Sequence, residues 1–216
     1  MPPLSLRLFV AIGIVAAPGA ASALVTTYVD ETAFLAAAGS VTTETFDGFV
    51  SDASFYNTSL DVGDFVIAAT TSSVPTNFNE IDASPYEFVN LGSPYAKIGI
   101  DDGDTVTLTF DAPITAFGAL FYGVNDDELR SQITVAGETV AHPVTSGSVF
   151  AYFGLISDTP FSVLTFTGLS DGGEAMAFDD ATYSAISAPV PVPAAAPLLA
   201  GALGGLGLLA RRRRRG

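Results

Sequence analysis

Residues 105–110 read TVTLTF, with Thr105, Thr107 and Thr109 alternating against Val106, Leu108 and Phe110. A period of two puts the apolar side chains on one face of an extended chain and the hydroxyls on the other, the pattern of a half-buried strand. A helix would scatter both sets around its surface, so this rhythm commits the middle of the chain to β structure. The next stretch, ITAFGALFYG from Ile114 to Gly123, is apolar on both faces and reads as a central strand covered on both sides. Further on, ITVAGETVA places Ala136-Gly137 between two short β runs, the signal of a hairpin. SVFAYFGLIS, FSVLTFTG and AMAFDDATYS add three more strands. Strands at this spacing, separated by turn residues, predict an all-β sandwich with no internal repeat.

One segment follows a different period. In DETAFLAAAG, Asp30 is placed to cap a short helix, Glu31 complements its positive end and Gly39 stops it. Phe34 and Leu35 are the residues expected to dock it on the sheet.

Charge divides the chain into three regions. All 23 Asp and Glu lie between Asp30 and Asp180, where Lys97 and Arg130 are the only basic residues, leaving that stretch at a formal −21. The remaining positive charge sits at the two ends: Arg7 in front and Arg211, Arg212, Arg213, Arg214 and Arg215 behind. Phosphates would be repelled by such a body, which excludes nucleic acid as a partner. The balance suits an exported domain, a cation binder or a partner of neutral polymers. No Cys is present, so there is no disulfide framework and no thiol chemistry. Residues 24–187 are enough for one domain with a real core.

Residues 1–23 have the order of a secretory signal peptide: Arg7, an apolar run from Leu8 to Ala17, and a small-residue site at Ala21-Ser22-Ala23. Cleavage is expected between Ala23 and Leu24. At the other end, Ala194 to Ala210 carry no charge. As a helix this span would rise about 25 Å, just short of a bilayer core. Pro197 falls in its first turn, where a helix tolerates it. The arginines that follow act as a cytoplasmic stop, leaving the body outside. Ahead of the span, SAPVPVP forms a stiff linker from Ser187. A basic tail for nucleic acid would leave the apolar run unexplained.

The tail VPVPAAAPLLAGALGGLGLLARRRRRG resembles a PEP-CTERM sorting signal of the VPLPA type. The motif residues are Val190, Pro191, Val192, Pro193 and Ala194, with Val192 where the variant usually has Leu. The resemblance covers about the last 27 residues, and it makes residues 188–216 the sorting tail. It implies recognition by an exosortase, a membrane-embedded protease or transpeptidase, which would cut near the proline motif. It also implies a Gram-negative source that makes exopolysaccharide. The protein would pass through the inner membrane, held there by its C-terminal helix, to the cell surface or extracellular matrix. The body segments YVDETAFLAAAGSVTTETFDGF, GDTVTLTFDAPITAFGALFYGV and FGLISDTPFSVLTFTGL resemble those of PEP-CTERM surface proteins. These are similar to jelly-roll domains of the carbohydrate-binding and lectin-like kind, so the fold expected is a jelly-roll-like β-sandwich with one short N-terminal helix.

Enzyme chemistry finds little support. His142 is the only histidine, so a zinc site built on several His or Cys ligands is not available, and a Ser-His-Asp arrangement would have to use it. Lying in VAHPV beside a proline, it reads as a structural residue. With 23 carboxylates some pair is inevitable, so a two-carboxylate glycosidase has no specific signal. No phosphate loop or dinucleotide fingerprint occurs. Structural calcium is the better site hypothesis, because Ca²⁺ takes oxygen ligands from carboxylates and carbonyls. Resemblance to jelly-roll modules places it between an early acidic segment and the last strand: Glu44 and Asp47 in TETFDGF, Asp179 and Asp180 in AFDD. On a strand Asp179 and Asp180 point to opposite faces, so at most one of them is expected to be a side-chain ligand, the other capping a turn or facing solvent. An acidic domain that scatters carboxylates for solubility is the competing reading. DDGD, from Asp101 to Asp104, lacks the spacing of an EF-hand loop and reads as a solvated turn; NDDEL, Asn125 to Leu129, reads as a polar loop. A sugar platform would have to use Tyr56, Tyr86, Tyr95, Tyr122 or Tyr152, with SPYEFVNLGSPYAKIG as a rim. The expectation is therefore an exported, noncatalytic surface or matrix protein. Its alternatives are a calcium-dependent carbohydrate-binding module and a secreted polysaccharide-acting enzyme.

Overall fold

The computed structural model describes residues 23–185, apart from 73, 85–88, 90–91, 126–127 and 143–148. The expected signal segment up to Ser22 and the whole of the expected sorting tail lie outside the described residues, as does Tyr86. Within them the chain is all-β and antiparallel with one helix. In chain order the elements are β1 (Val25–Tyr28), α1 (Glu31–Ala38), β2 (Thr42–Glu44), β3 (Ala53–Ser54), β4 (Ser59–Asp61), β5 (Phe65–Thr70) and β6 (Glu80–Asp82). They continue with β7 (Tyr95–Ile100), β8 (Thr105–Tyr122), β9 (Ser131–Val135), β10 (Glu138–Ala141), β11 (Phe150–Gly168) and β12 (Glu174–Ala185).

Two long strands organise the sheet. TVTLTF and ITAFGALFYG, expected as separate strands, are the two halves of β8, and SVFAYFGLIS and FSVLTFTG are the two halves of β11. The segments between them, around Pro113 and Pro160, do not break the chain; they bend it. Pairing of β8 with β11 is regular from Phe150↔Tyr122 to Ile156↔Ala116, shifts register on both sides of Phe161, and resumes at Val163↔Thr109. A proline has no N–H to give the ladder, and a bulge raises local twist, so the bends fall where pairing is already interrupted. Each long strand thereby pairs with different neighbours along its two halves.

The first half of β8 pairs with β5, the second half of β11 with β9, and β9 with β10; β4 lies outside β5. The second half of β8 pairs with β12, the first half of β11 with β1, and β12 with β7 and β2, while β6 and β3 extend the edge beyond β7. Aromatic rings from strand segments that are not paired with each other meet in the core. Phe166 of β11 packs 6.1 Å from Phe178 of β12 and 6.1 Å from Phe121 of β8, and Phe65 of β5 lies 5.9 Å from Tyr183 of β12. Val106, Leu108 and Phe110 all face this core, as the alternation required.

Local signals shape the ends. Asp30 caps α1 by accepting the Ala33 N–H at 2.7 Å, and Gly39, at φ 78°, returns its N–H to the Leu35 carbonyl. Phe34 alone docks the helix; Leu35, expected beside it, is exposed, because the helix meets the sheet over a narrow contact. Phe34 lies against Gly154, where a Cβ would come within 2.6 Å of the ring. The β9–β10 hairpin turns at Ala136 (φ 51°) and Gly137 (φ 82°), both in the left-handed region that a two-residue hairpin loop demands. Among the described residues no helix is long and apolar enough to cross a membrane; the expected span 194–210 lies outside them.

Candidate functional site

Glu44 ends β2, and β2 pairs with β12 so that Glu44 stands opposite Ala181. Beyond Glu44 the chain turns sharply: Phe46 takes φ 55°, and its N–H donates to Glu44 Oε1 at 2.7 Å. Asp47 follows, its Oδ2 accepting the Thr45 hydroxyl at 3.0 Å. Opposite, β12 carries an irregularity between Asp179 and Thr182, with Asp180 at φ 51°. This kink separates the two neighbouring carboxylates. Asp179 turns inward and is 5% exposed, whereas Asp180 faces solvent.

Asp179 is the perturbed group of this junction. Its Oδ2 accepts the Ser93 hydroxyl at 2.7 Å and its Oδ1 the Asp180 N–H at 2.7 Å. Burial pushes its pKa up to about 6; the two hydrogen bonds pull it down, and the negative charges of Asp180 and Asp47 add to the rise. Glu44 is felt from the other side, since its charge helps raise the phenol of Tyr183, a residue already pushed up by burial and by its bond to Asp64. The fold thus brings Glu44, Asp47, Asp179 and Asp180 to the meeting of β2 with β12. All are oxygen donors, the chemistry a hard cation takes. Among the described residues, however, no three Asp, Glu, His or Cys side chains form a ready metal cluster. The carboxylates of Glu44, Asp47 and Asp179 are instead engaged with local N–H and O–H donors. Ser93, which sequence reasoning did not single out, is the partner that the loop before β7 supplies.

Among the described residues the tyrosines do not form an open platform. Tyr95 is fully buried and donates its hydroxyl to Asp82 at 3.0 Å. Tyr122 packs at a tilt 5.0 Å from Phe150, Tyr152 lies 5.6 Å from Phe34 under α1, and Tyr56 donates to the Val74 carbonyl. The segment expected as a rim contains β7, buried at every position. Lys97 and Gly99 hid this strand from the sequence pattern. Gly99 lets Phe78 pack onto the strand, since a Cβ there would meet the Phe78 Cβ at 2.9 Å.

His142 is 1% exposed and sits among Phe121, Phe153 and Phe166, at ring separations of 4.6, 5.2 and 5.7 Å. Burial pushes its pKa down to about 3. Nδ1 lies 3.4 Å from Ser131 Oγ, and Nε2 has no hydrogen-bond partner. A neutral imidazole sealed in an aromatic core cannot serve a substrate. Asn125, at φ 48°, is likewise structural. It accepts from the N–H groups of Arg130 and Ser131 and donates to the His142 carbonyl, which organises the start of NDDEL. The DDGD turn is closed by Asp104, which accepts from Ser72 and from the Asp101 N–H; Asp104 is buried, not solvated as the composition suggested.

Two further clusters complete the survey. A cavity of about 170 Å³ lies at the bend of β8, lined by Asp64, Phe110, Asp111, Ala112, Ile114 and Tyr183. It is smaller than the roughly 300–1,000 Å³ of typical ligand sites. On the outer side of β7, Lys97 Nζ reaches Glu80 Oε1 at 2.6 Å and Asp82 Oδ2 at 3.2 Å, with all three side chains nearly or fully buried. Desolvation lowers the Lys97 pKa, but the two carboxylates outweigh it and the net direction is upward.

No protein-family model matches the chain, and no curated protein matches it either.

Proposed function

We propose that this is an exported, noncatalytic surface or matrix protein, sorted through its C-terminal tail by an exosortase-type enzyme and associated with extracellular polysaccharide. The observation that carries the reading is the order of proline motif, uncharged span and arginine cluster in residues 190–215. Support comes from where the first strand begins: it starts at Val25, one residue past Leu24, so the expected signal-peptide cleavage point falls ahead of it. The last described strand runs to Ala185, and the expected tail cleavage point lies outside the described residues. The finer fold assignment, a jelly-roll-like sandwich, belongs to this reading too, since such modules present loops to polymers. The sequestered His142 removes one general base and favours a noncatalytic role over a polysaccharide-acting enzyme.

Mass spectrometry of the protein from its own host tests the proposal. The expected mature species begins at Leu24 and ends near Pro193. A surface protein that still carries Arg211–Arg215 would overturn it.

The second reading is a calcium-dependent carbohydrate-binding module. It is favoured by one feature, the buried Asp179 beside the charges of Asp47 and Asp180. A calcium ion there would relieve their repulsion, with Glu44, Asp47 and Asp179 as side-chain ligands. Binding to the folded state alone adds about 2.7 kcal/mol at a hundredfold excess over Kd. Melting in calcium, magnesium and chelator checks this. A site favours calcium, which tolerates irregular coordination, over the more strongly hydrated magnesium. Equal shifts with both ions, unchanged when the three carboxylates become Ala, would reduce the cluster to a solvated acidic surface.

A further inference from the structure

Lys97 is one of two basic residues in a body of 23 carboxylates, yet it is spent in the interior. The register of β6 against β7 sets its neighbours: Glu80 stands directly opposite Lys97, and Asp82, two residues further along the same face, stands opposite Tyr95. The outcome is a sequestered triad, with Nζ at 2.6 Å from Glu80 Oε1 and 3.2 Å from Asp82 Oδ2. Asp82 is held at both oxygens. Its Oδ1 accepts the Ser84 N–H at 2.9 Å, and its Oδ2 accepts the Tyr95 hydroxyl at 3.0 Å. The Phe78 ring lies 5.9 Å from Nζ. As an ion pair this arrangement is a poor stabiliser. Two anions face one cation away from water, and buried pairs of that kind return little for their desolvation.

The same geometry suits a covalent step. We propose that Lys97 and Asp82 condense into an intramolecular amide, a cross-link between β6 and β7 that the folded chain forms by itself. Nζ surrenders one proton to Glu80, the nearer carboxylate. The neutral amine formed by that transfer attacks Asp82 Cγ, 3.2 Å separating Nζ from Asp82 Oδ2 beforehand. The Ser84 N–H and the Tyr95 hydroxyl withdraw charge from the carboxyl group and hold it in place. The C–Oδ2 bond then breaks. The leaving oxygen takes the proton carried by Glu80 and the second proton from nitrogen, and departs as water. An ammonium and a carboxylate give an amide and one water, with no oxidant, metal or cofactor. Fixing both groups on paired strands supplies the effective concentration that makes so slow a condensation accessible. A Cys-free exported domain would thereby gain the covalent brace that others obtain from disulfides, closing the chain from Asp82 to Lys97.

Trypsin reads the outcome directly, because an acylated lysine is not cleaved. The purified full chain is denatured, digested and weighed. The expected product runs uncut through Lys97 to Arg130 and is lighter than its sequence by one water. Tandem fragmentation should place the loss on a linked Asp82–Lys97 pair. A peptide ending at Lys97 with its full mass would overturn the proposal and leave the triad as an ion pair. Glu80→Gln tests the proton carrier. It should restore cleavage at Lys97 and the full mass while the β circular dichroism persists. A Gln variant that still lacks one water would refute the role of Glu80.

Discussion

Replacing Asp179 with Asn should stabilise the protein at neutral pH, even though it removes a carboxylate that is fully hydrogen-bonded. Asn is the same shape. Its Oδ1 can keep the Asp180 N–H, and its Nδ2 can donate to Ser93 Oγ in place of the bond now running the other way. What it removes is a buried negative charge facing Asp47 and Asp180. The folded-state pKa of Asp179 is about 6, against an ordinary 3.8. The folded state therefore binds this proton more tightly than the unfolded chain does. Stability is greatest below 3.8 and falls as pH rises towards about 6, after which the penalty is constant. At about 1.4 kcal/mol per tenfold change in proton affinity, the ceiling is about 3 kcal/mol. Solvent screening at this junction near the surface reduces it to about 1–2 kcal/mol. For a domain of this size that is a rise in Tm of about 3–6 °C. The assay is thermal unfolding of wild type and Asp179→Asn in chelator at pH 7.5 and at pH 3.5, where the advantage should vanish. Added calcium separates the two functional readings: it should raise only the wild type if Asp179 is a ligand. An Asn variant less stable than wild type at pH 7.5 in chelator would refute the argument that charge burial dominates here.

His142 should set the acid limit. Its pKa of about 3 lies below the ordinary 6.5, so its contribution is present above 6.5 and is lost as pH falls towards 3, by about 4–5 kcal/mol in all. His142→Phe keeps the ring among Phe121, Phe153 and Phe166 and should move the acid unfolding midpoint, followed by circular dichroism, to lower pH. Gly168→Ala should cost at least about 1–3 kcal/mol in urea unfolding, because its Cβ would lie 2.0 Å from the Asp101 carbonyl oxygen and must push the backbone of the DDGD turn away. Phe34→Ala should cost about 3–5 kcal/mol and release α1 from the sheet, seen as faster amide exchange in residues 31–38. If cleavage falls before Leu24, the new α-ammonium lies where the Leu24 N–H now donates to Asp158 Oδ1 at 2.9 Å. Asp158→Asn should then lower the pKa of that amine, measured by NMR titration, with less than about 1 kcal/mol of effect on stability.

Much of the body was written in its local pattern. Alternation in TVTLTF fixed which residues face the core, the two-sided apolar run marked β8's second half as central, Ala136-Gly137 marked a hairpin, and Asp30 and Gly39 marked both ends of α1. These signals are legible because each depends on neighbours within a few residues. The strand breaks were misplaced for a complementary reason. Pro113 and Pro160 announce that a ladder hydrogen bond is missing, but not whether the chain ends or merely bends there; the partner strand decides that. β7 was hidden because Lys97 is buried only by virtue of Glu80 and Asp82, which precede it by 17 and 15 residues.

At the acidic junction the resemblance to jelly-roll modules picked out four carboxylates, but the sequence could not rank them. Asp179 and Asp180 are chemically identical neighbours. A kink in β12, the approach of β2 and the Ser93 loop bury one and leave the other in water. The end segments are the opposite case, since their apolar runs and the arginine cluster are properties of order and hydropathy along the chain. Charge and apolar order are carried by the residues themselves. Burial, the largest cause of the perturbed pKa values of Asp179 and His142, is conferred by residues brought in from elsewhere in the chain.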